Sequence, residues 1–119
     1  MRKSKISISG FKIGTAENRE GLTGVTVILA PDGGATAGVD VRGCAPGTRE
    51  TDLLDPRKTV QKIHAVVLSG GSAFGLEPAS RCVKYLAEQG VGFPIGNVCV
   101  PIVCSAAVSY THLRAHETL

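Results

Sequence analysis

Leu68-Ser69-Gly70-Gly71-Ser72-Ala73-Phe74-Gly75-Leu76 is the stretch that decides the fold of this chain. The residues that lead into it, Ile63–Leu68, form a short apolar run with β-branched members, which predicts a buried strand. The residues that follow it place apolar side chains at helical spacing as far as Gly90. These side chains are Leu76, Ala79, Val83, Leu86 and Ala87. The sequence therefore predicts a strand that passes through a glycine loop into a helix.

The main helix is expected over about residues 73–89, and Pro78 disturbs its first turn. A proline inside a helix removes one backbone hydrogen bond and costs roughly 3 kcal/mol, whereas a proline at the first helical position is favoured. The sequence therefore predicts either a distorted first turn or a later start near Glu77.

Two interpretations of the glycine loop stay open. Gly70 and Gly71 permit backbone conformations that a Cβ would forbid, and they let another group approach the main chain. The N–H groups of a helix start would then suit a carboxylate, an oxyanion or a phosphate. Equally, Gly70-Gly71-Ser72 is an ordinary tight turn with Ser72 as the N-cap of the helix. The loop fits neither the dinucleotide-binding nor the Walker glycine pattern, and it misses the hydrolase nucleophile elbow, so Ser72 is not assigned as a nucleophile.

Composition excludes several classes of protein. The chain has 119 residues, which suffices for one small domain with a core. The net charge is +3 and only 4% of the residues are aromatic, so no nucleic-acid partner is expected. No segment approaches the ~20 apolar residues of a membrane span, and no apolar signal core follows the basic start. We therefore expect a cytoplasmic protein without a membrane partner, in which the four cysteines are reduced thiols.

The remaining segments predict a mixed α/β layer structure in the order β-ββ-(α)-β-α-β. Ile6–Ile13 alternates apolar and polar residues and is predicted to be an edge strand, followed by a polar loop at Thr15–Gly21. Val25–Leu29 is a strong strand, and Ala35–Arg42 is predicted to be its hairpin partner. Val98–Val103 is predicted to be the last strand.

One group of side chains has the chemistry of a zinc site. Cys99, Cys104, His112 and His116 are thiol and imidazole ligands of the kind that zinc prefers. Their spacing differs from that of a zinc finger, and the two cysteines flank an apolar strand segment. The sequence therefore predicts no metal site.

Charged residues gather on both sides of the Gly43–Pro46 loop. They are Asp40, Arg42, Arg49, Glu50, Asp52 and Asp55. Carboxylates so close together can serve acid–base catalysis, but more commonly they form ion pairs and turn caps within a loop. Arg49 is a candidate anion ligand, and His64 is expected to be packed inside its strand rather than catalytic.

Five blocks of the sequence carry a family resemblance. They are Leu22–Leu29, Gly38–Pro56, Leu68–Leu76, Gly90–Gly96 and Val100–Val103. In this order they resemble the DmpA-like peptidase family, which comprises L-aminopeptidase/D-esterases and β-aminopeptidyl enzymes and is related to the nylon-oligomer hydrolases. The resemblance covers nearly all of residues 5–103 and is to the N-terminal part of the family's α chain, cut short.

The resemblance implies a self-processing hydrolase. Family members are made as one precursor and cut into an α and a β chain, and the new N-terminal Ser or Thr of the β chain is the nucleophile. The implied fold is a four-layer α-β-β-α sandwich that assembles into oligomers. The implied substrates are short peptides, amides or esters with a free amine, and the prediction includes no cofactor.

The resemblance also places the glycine loop near the substrate cleft. The predicted substrate-binding residues are Gly70, Gly71, Ser72, Phe74 and Gly75, with Phe74 as a pocket wall. No serine here matches the family's cleavage-site nucleophile, so no catalytic residue is predicted and the chain alone is expected to be inactive. Its expected partners are the rest of the α chain, the β chain, further copies of the enzyme and a small peptide or amide substrate.

Two regions depart from the family pattern. Cys44 stands where the family usually has a second glycine. After residue 103 the family continues with Pro-Ala-Ala-Val and then a Tyr or Phe before Asp, whereas this chain continues Cys104-Ser105-Ala106-Ala107-Val108-Ser109-Tyr110-Thr111. Tyr110 matches the family's active-site tyrosine only with one extra residue, and the end of the chain resembles translated adapter sequence. We therefore predict an α-chain fragment over 1–103 and a divergent, non-native tail over 104–119.

Two other functions stay open at this point. The first alternative is a small anion- or nucleotide-binding module that uses the Gly70–Gly75 loop. The second alternative is a non-functional fragment. In the second case its apolar surface would lack partner layers and the chain would aggregate.

Overall fold

The computed structural model describes residues 8–21 and 23–108, in which seven strands and one α-helix occur. The strands are β1 (Lys12–Asn18), β2 (Thr23–Leu29), β3 (Thr48–Arg49), β4 (Ala65–Ser69), β5 (Phe93–Ile95), β6 (Val98–Val100) and β7 (Val103–Ala107). The helix α1 spans Pro78–Glu88, and short 3-10 helices span Asp52–Leu54 and Ser72–Leu76. A mixed α/β fold is therefore confirmed.

Five of the strands form one mixed sheet in the order β1-β2-β4-β7-β3. β4 and β7 are parallel, and the other three neighbouring pairs are antiparallel. Parallel neighbours need a long crossover connection. Here α1 and the hairpin of β5 and β6 supply that crossover. The glycine loop is the first part of the crossover, at the end of a central strand.

The hydrophobic core lies between α1 and one face of the sheet. Its buried members are Ala65, Val67, Ala79, Cys82, Leu86 and Val103. Ala79, Cys82 and Leu86 lie three and four residues apart, so they share the face of α1 that meets the sheet. Alternation along β4 turns Val67 toward the helix and leaves Leu68 44% exposed on the other face.

Both ends of α1 follow from its sequence. Pro78 occupies the first turn, where its missing N–H removes no internal hydrogen bond. At the other end Gly90 has φ +71°, its N–H bonds Ala87 O, and Val91 N–H bonds Leu86 O at 2.9 Å. This pattern is a Schellman termination. The later start anticipated from Pro78 is confirmed, and the earlier residues 72–76 form a separate 3-10 helix.

Several predicted strands are wrong in position. Residues 15–18 belong to the edge strand β1, whereas the sequence predicted a loop at Thr15–Gly21. Of the predicted edge strand Ile6–Ile13, the described part contributes only residues 12 and 13. Ala35–Arg42 is not a hairpin partner of β2, because β1 and β4 occupy both edges of β2 and only Ala35 makes an isolated bridge, to Ile63.

The end of the sheet also differs from the prediction. The predicted strand Val98–Val103 is divided into β6 and the start of β7, because residues 101 and 102 belong to neither strand. β7 continues to Ala107 beside β4, so the predicted boundary at residue 103 falls within a strand of the sheet. The interpretation of 104–119 as a divergent tail stays a prediction.

Among the residues that the structure describes, none lies in a helix with the length and apolar character needed to cross a lipid bilayer.

Candidate functional site

The glycine loop turns sharply between β4 and the 3-10 helix. Gly71 has φ +96°, in the left-handed region that favours glycine, and Ser72 follows at φ +54°. At Gly75 close packing excludes a side chain, because a Cβ would overlap Gly70 O and lie 2.9 Å from Ser69 Oγ. These two glycines therefore serve the conformation and the packing of the loop itself.

Hydrogen bonds fix the loop to β2 and to Val108, the residue that follows β7. Gly70 N–H donates to Gly24 O at 2.9 Å, and Ser72 N–H donates to Val108 O at 2.9 Å. The Ser69 hydroxyl donates to Gly75 O across the turn. Two of the N–H groups that an anion would use are thus already bonded within the protein. The Ser72 side chain makes no capping hydrogen bond, so the interpretation of Ser72 as an N-cap is wrong.

Four of the five predicted binding residues line one surface groove of about 410 Å³. Gly70, Gly71, Phe74 and Gly75 form one side of it, and Asn18 and Thr23 lie on the other side, where β1 ends and β2 begins. We call it the Phe74 groove, defined by these six residues. Ser72 is not among its lining residues.

Phe74 is the most exposed large apolar side chain of the described residues, at 84%. An aromatic ring left in solvent beside a backbone-lined groove is a ready contact for an apolar group of a ligand. The polar groups of the groove include the Thr23 hydroxyl and the amide of Asn18, whose Oδ1 accepts a hydrogen bond from Gly21 N–H at 3.0 Å. The groove can therefore hold a short chain that carries both apolar and amide groups.

The described residues contain no activated nucleophile beside the groove. Their hydrogen bonds join no serine or cysteine to a histidine. Burial raises the pKa of the Cys82 thiol, and burial together with the nearby Glu50 charge raises the pKa of Cys104 to about 11. Thiols in such surroundings stay protonated and are poor nucleophiles.

His64 is packed, as the sequence predicted. It is buried, and its Nδ1 accepts a hydrogen bond from Ile102 N–H at 3.0 Å. Burial lowers the pKa of the imidazole, so the neutral form is favoured. A separate depression of about 550 Å³ lies beside His64, away from the glycine loop.

The charged residues around Gly43–Pro46 do not form a catalytic pair of carboxylates. Asp40 and Arg42 form an exposed ion pair at 2.8 Å. Asp55 is bonded by Arg57 at 2.8 Å, and this hydrogen bond lowers the pKa of its carboxyl. Arg49 lies apart from them and reaches the far end of the glycine loop. This distribution is that of loop ion pairs.

No group of three or more metal ligands exists within the parts of the chain that the structure describes. Cys99 lies on β6 and Cys104 is buried on β7, with its thiol donating to Glu50 O at 3.2 Å. His112, His116 and Tyr110 lie outside the described residues.

Sequence reasoning missed Asn18 and Thr23 as groove residues. It placed Asn18 in a loop and did not join Thr23 to the glycine loop, since nothing local in the sequence shows that β2 pairs with β4 and carries β1 on its other edge. The strand predicted at Val25–Leu29 exists, but β2 begins two residues earlier, at Thr23, so the prediction left Thr23 outside the strand.

Comparisons with known proteins give one family. The family model described as Peptidase family S58 matches residues 6–115. An uncharacterized aminopeptidase of Mycobacterium tuberculosis is 49% identical over 85 residues, which is 71% of this chain and 24% of that protein. A 6-aminohexanoate-oligomer endohydrolase of Kocuria sp. is 33% identical over 104 residues, which is 87% of this chain and 26% of that protein. The chain thus spans about a quarter of the length of these curated relatives.

Proposed function

The chain belongs to Peptidase family S58, and from that premise we propose that it is part of a self-processing hydrolase of amide or ester bonds. The substrates are short molecules with a free amine. The chain contributes the Phe74 groove as a wall of the substrate site and supplies no nucleophile. The observation that carries this proposal is the gathering of Gly70, Gly71, Phe74 and Gly75 along one groove.

The names of the relatives support the type of reaction. One is called an aminopeptidase and another an endohydrolase of 6-aminohexanoate oligomers. Both names refer to cleavage of amide bonds. The Phe74 groove suits such substrates, because it offers an aromatic face together with hydroxyl and amide groups.

The nucleophile in this proposal lies in a later part of the complete gene product. Internal cleavage there exposes an N-terminal Ser or Thr, which attacks the substrate carbonyl and forms an acyl-enzyme that water then hydrolyses. The described residues offer no serine or cysteine bonded to a histidine, which supports a nucleophile from elsewhere. We accordingly expect no turnover by the 119-residue chain alone.

Further polypeptide has a place to pack in this proposal. The sheet face opposite α1 exposes Ile13 and Leu68, at 48% and 44%. A second sheet with its own helices would cover this face and complete four layers. The remaining α chain and the β chain are the proposed source of those layers, and the complete enzyme is proposed to form homo-oligomers in the cytoplasm.

The test compares the complete gene product with the 119-residue chain. Both are purified and incubated with amino-acid p-nitroanilides and, separately, with 6-aminohexanoate oligomers. The complete product is expected to appear as two chains on a denaturing gel and to hydrolyse at least one of the two substrate classes. The 119-residue chain is expected to hydrolyse neither.

A Phe74→Ala variant tests the role of the groove. Loss of an aromatic contact weakens binding by roughly 1–3 kcal/mol, so the KM of the complete gene product should rise about five-fold or more. The matched control is Tyr85→Ala, which removes another exposed aromatic ring, from α1 outside the groove, and should leave KM unchanged. Turnover by the isolated chain, or a complete product that stays uncut and inactive, would contradict the proposal.

A further inference from the structure

Arg49 connects the edge of the sheet to the far end of the glycine loop. Its guanidinium Nη1 donates to Leu76 O at 3.4 Å and to the Ser80 hydroxyl. These partners are 27 and 31 residues away along the chain. Leu76 ends the 3-10 helix and Ser80 lies in the first turn of α1, so Arg49 spans the junction of the two helices.

The backbone around Arg49 is held firmly by β7. Arg49 pairs with Ser105, and Ala107 N–H donates to Gly47 O at 2.7 Å. The Cys104 thiol donates to the carbonyl of Glu50, which has φ +60°. The Arg49 side chain therefore extends from a fixed point on the helix-covered face of the sheet.

The 3-10 to α junction leaves Leu76 O in need of a donor. In a continuous α-helix that carbonyl would accept from Ser80 N–H, four residues on. Here Ser80 N–H donates to Glu77 O instead, at 2.8 Å. The Arg49 guanidinium, with donors in a fixed fork, supplies the hydrogen bond that the helix does not.

Arg49 is also an arginine without a carboxylate partner in the part of the chain that the structure describes. The four ion pairs found there belong to Arg19, Arg42, Arg57 and Arg81. The two hydrogen bonds of Arg49 go to a carbonyl and a hydroxyl instead. Its charge is thus directed at the loop-to-helix junction.

The other end of the glycine loop is fixed by different groups. Gly70 N–H bonds β2, and Ser72 N–H bonds Val108 O. Phe74 lies between these contacts and the Leu76 carbonyl that Arg49 holds. We propose that Arg49 is a positioning residue that sets the place of the Phe74–Leu76 segment, and through it the shape of the Phe74 groove. The expected effect of Arg49 on catalysis rests on the proposed function, whereas its effect on the position of the Phe74–Leu76 segment does not.

Native-state hydrogen exchange of the 119-residue chain tests the inference without any activity. The variants are Arg49→Met, Arg49→Lys and, as matched control, Arg57→Met, which removes an arginine that is 89% exposed and bonded to Asp55. Arg49→Met should accelerate exchange of the amides of residues 73–76 about tenfold, which corresponds to ~1.4 kcal/mol. Arg49→Lys should restore part of the protection, since the ammonium keeps hydrogen-bond donors but lacks the fixed planar fork of the guanidinium.

Exchange in β2 and β7 distinguishes positioning from general stabilisation. The amides of 25–28 and 103–106 should keep their wild-type exchange in Arg49→Met. An equal acceleration across all three segments, or the same behaviour in Arg57→Met, overturns the inference. If Arg49→Met does not fold, Ser80→Ala removes one acceptor of the same contact and must show the same local effect at a few-fold size.

The complete gene product gives the second measurement. Arg49→Met should raise KM about tenfold and leave kcat within about twofold, because the groove wall moves while the nucleophile does not. A fall in kcat at unchanged KM would contradict positioning through the groove. If the complete product has no hydrolase activity, the proposed function fails, and the exchange result still decides the role of Arg49.

Discussion

Replacing Gly75 with alanine should destabilise the chain, although alanine usually favours an ordered segment more than glycine does. The new Cβ would overlap Gly70 O and would lie 2.9 Å from Ser69 Oγ and 3.1 Å from the Cβ of Ala107. The Gly70 carbonyl has little freedom to move, because hydrogen bonds fix this loop to Gly24 and Val108. The contact is therefore expected to shift the loop rather than one flexible side chain.

The size of the effect of Gly75→Ala follows from three contributions. Overpacking of this kind costs roughly 1–3 kcal/mol. Weakening the hydrogen bond from Ser69 to Gly75 O costs about 0.5–1.5 kcal/mol more. The smaller entropy of the unfolded alanine chain returns roughly 0.4–1 kcal/mol. The net loss in the free energy of unfolding is thus about 0.5–4 kcal/mol, with a central value of about 2 kcal/mol.

Urea unfolding followed by far-UV circular dichroism measures the loss in Gly75→Ala. With a slope of about 2 kcal/mol per molar urea, a loss of ~2 kcal/mol lowers the midpoint by about 1 M. Gly14→Ala is the matched control, because a Cβ at Gly14 meets nothing within 4 Å and its φ is not positive. That control should be neutral or stabilising by roughly 0.5–1 kcal/mol. Equal midpoints for the two variants would refute the packing argument at Gly75.

Three further predictions concern the core, the buried histidine and the cysteines. Val67→Ala, at a fully buried position, should lower the free energy of unfolding by roughly 2–3 kcal/mol in the same urea assay, and a loss below ~1 kcal/mol would contradict the assigned core. Burial lowers the pKa of His64 in the folded state from 6.5, so its contribution to stability should be complete above about pH 6.5 and should decline as the pH falls below that value. Urea unfolding midpoints measured from pH 7.5 to 5 check this decline, and His64→Gln should remove it. With Ellman's reagent at pH 8, exposed Cys44 should react at the rate of a free thiol. Buried Cys104, whose pKa is raised to about 11, should react only when the protein opens, so equal rates for the two thiols would count against the burial of Cys104.

The assignment of the family depended on sequence blocks, and the comparisons confirm it. The resemblance seen in Leu68–Leu76 and the other blocks leads to the same family as the match over residues 6–115. The choice of substrate-binding residues stays a prediction. The structure adds that four of them share a groove and that Ser72 is instead tied to Val108 through its backbone.

The anion-binding alternative loses support from the geometry of the loop. Its physical basis was a set of N–H groups open to a ligand at a helix start. The N–H groups of Gly70 and Ser72 already donate to Gly24 O and Val108 O. The helix that follows the loop directly is a 3-10 helix of 5 residues. A ligand would have to displace two protein hydrogen bonds to use these groups.

The sequence by itself determined the strand, glycine loop and helix around Gly70 and Gly71. It also determined that Ala79, Val83 and Leu86 of α1 pack toward the core, although it left out buried Cys82 and included Ala87, which is exposed. These features follow from periodicity and from the backbone limits of glycine and proline, which act within a few residues. Only the tertiary structure decided that β1 flanks β2, that Asn18 and Thr23 border the groove, and that Arg49 reaches Leu76 O. β1 and β2 are consecutive in the chain, but the pairing of β2 with β4 brings them to the glycine loop, and the pairing of β3 with β7 brings Arg49 to α1. The energy of pairing between such distant segments is set by the whole sheet rather than by any local pattern of side chains.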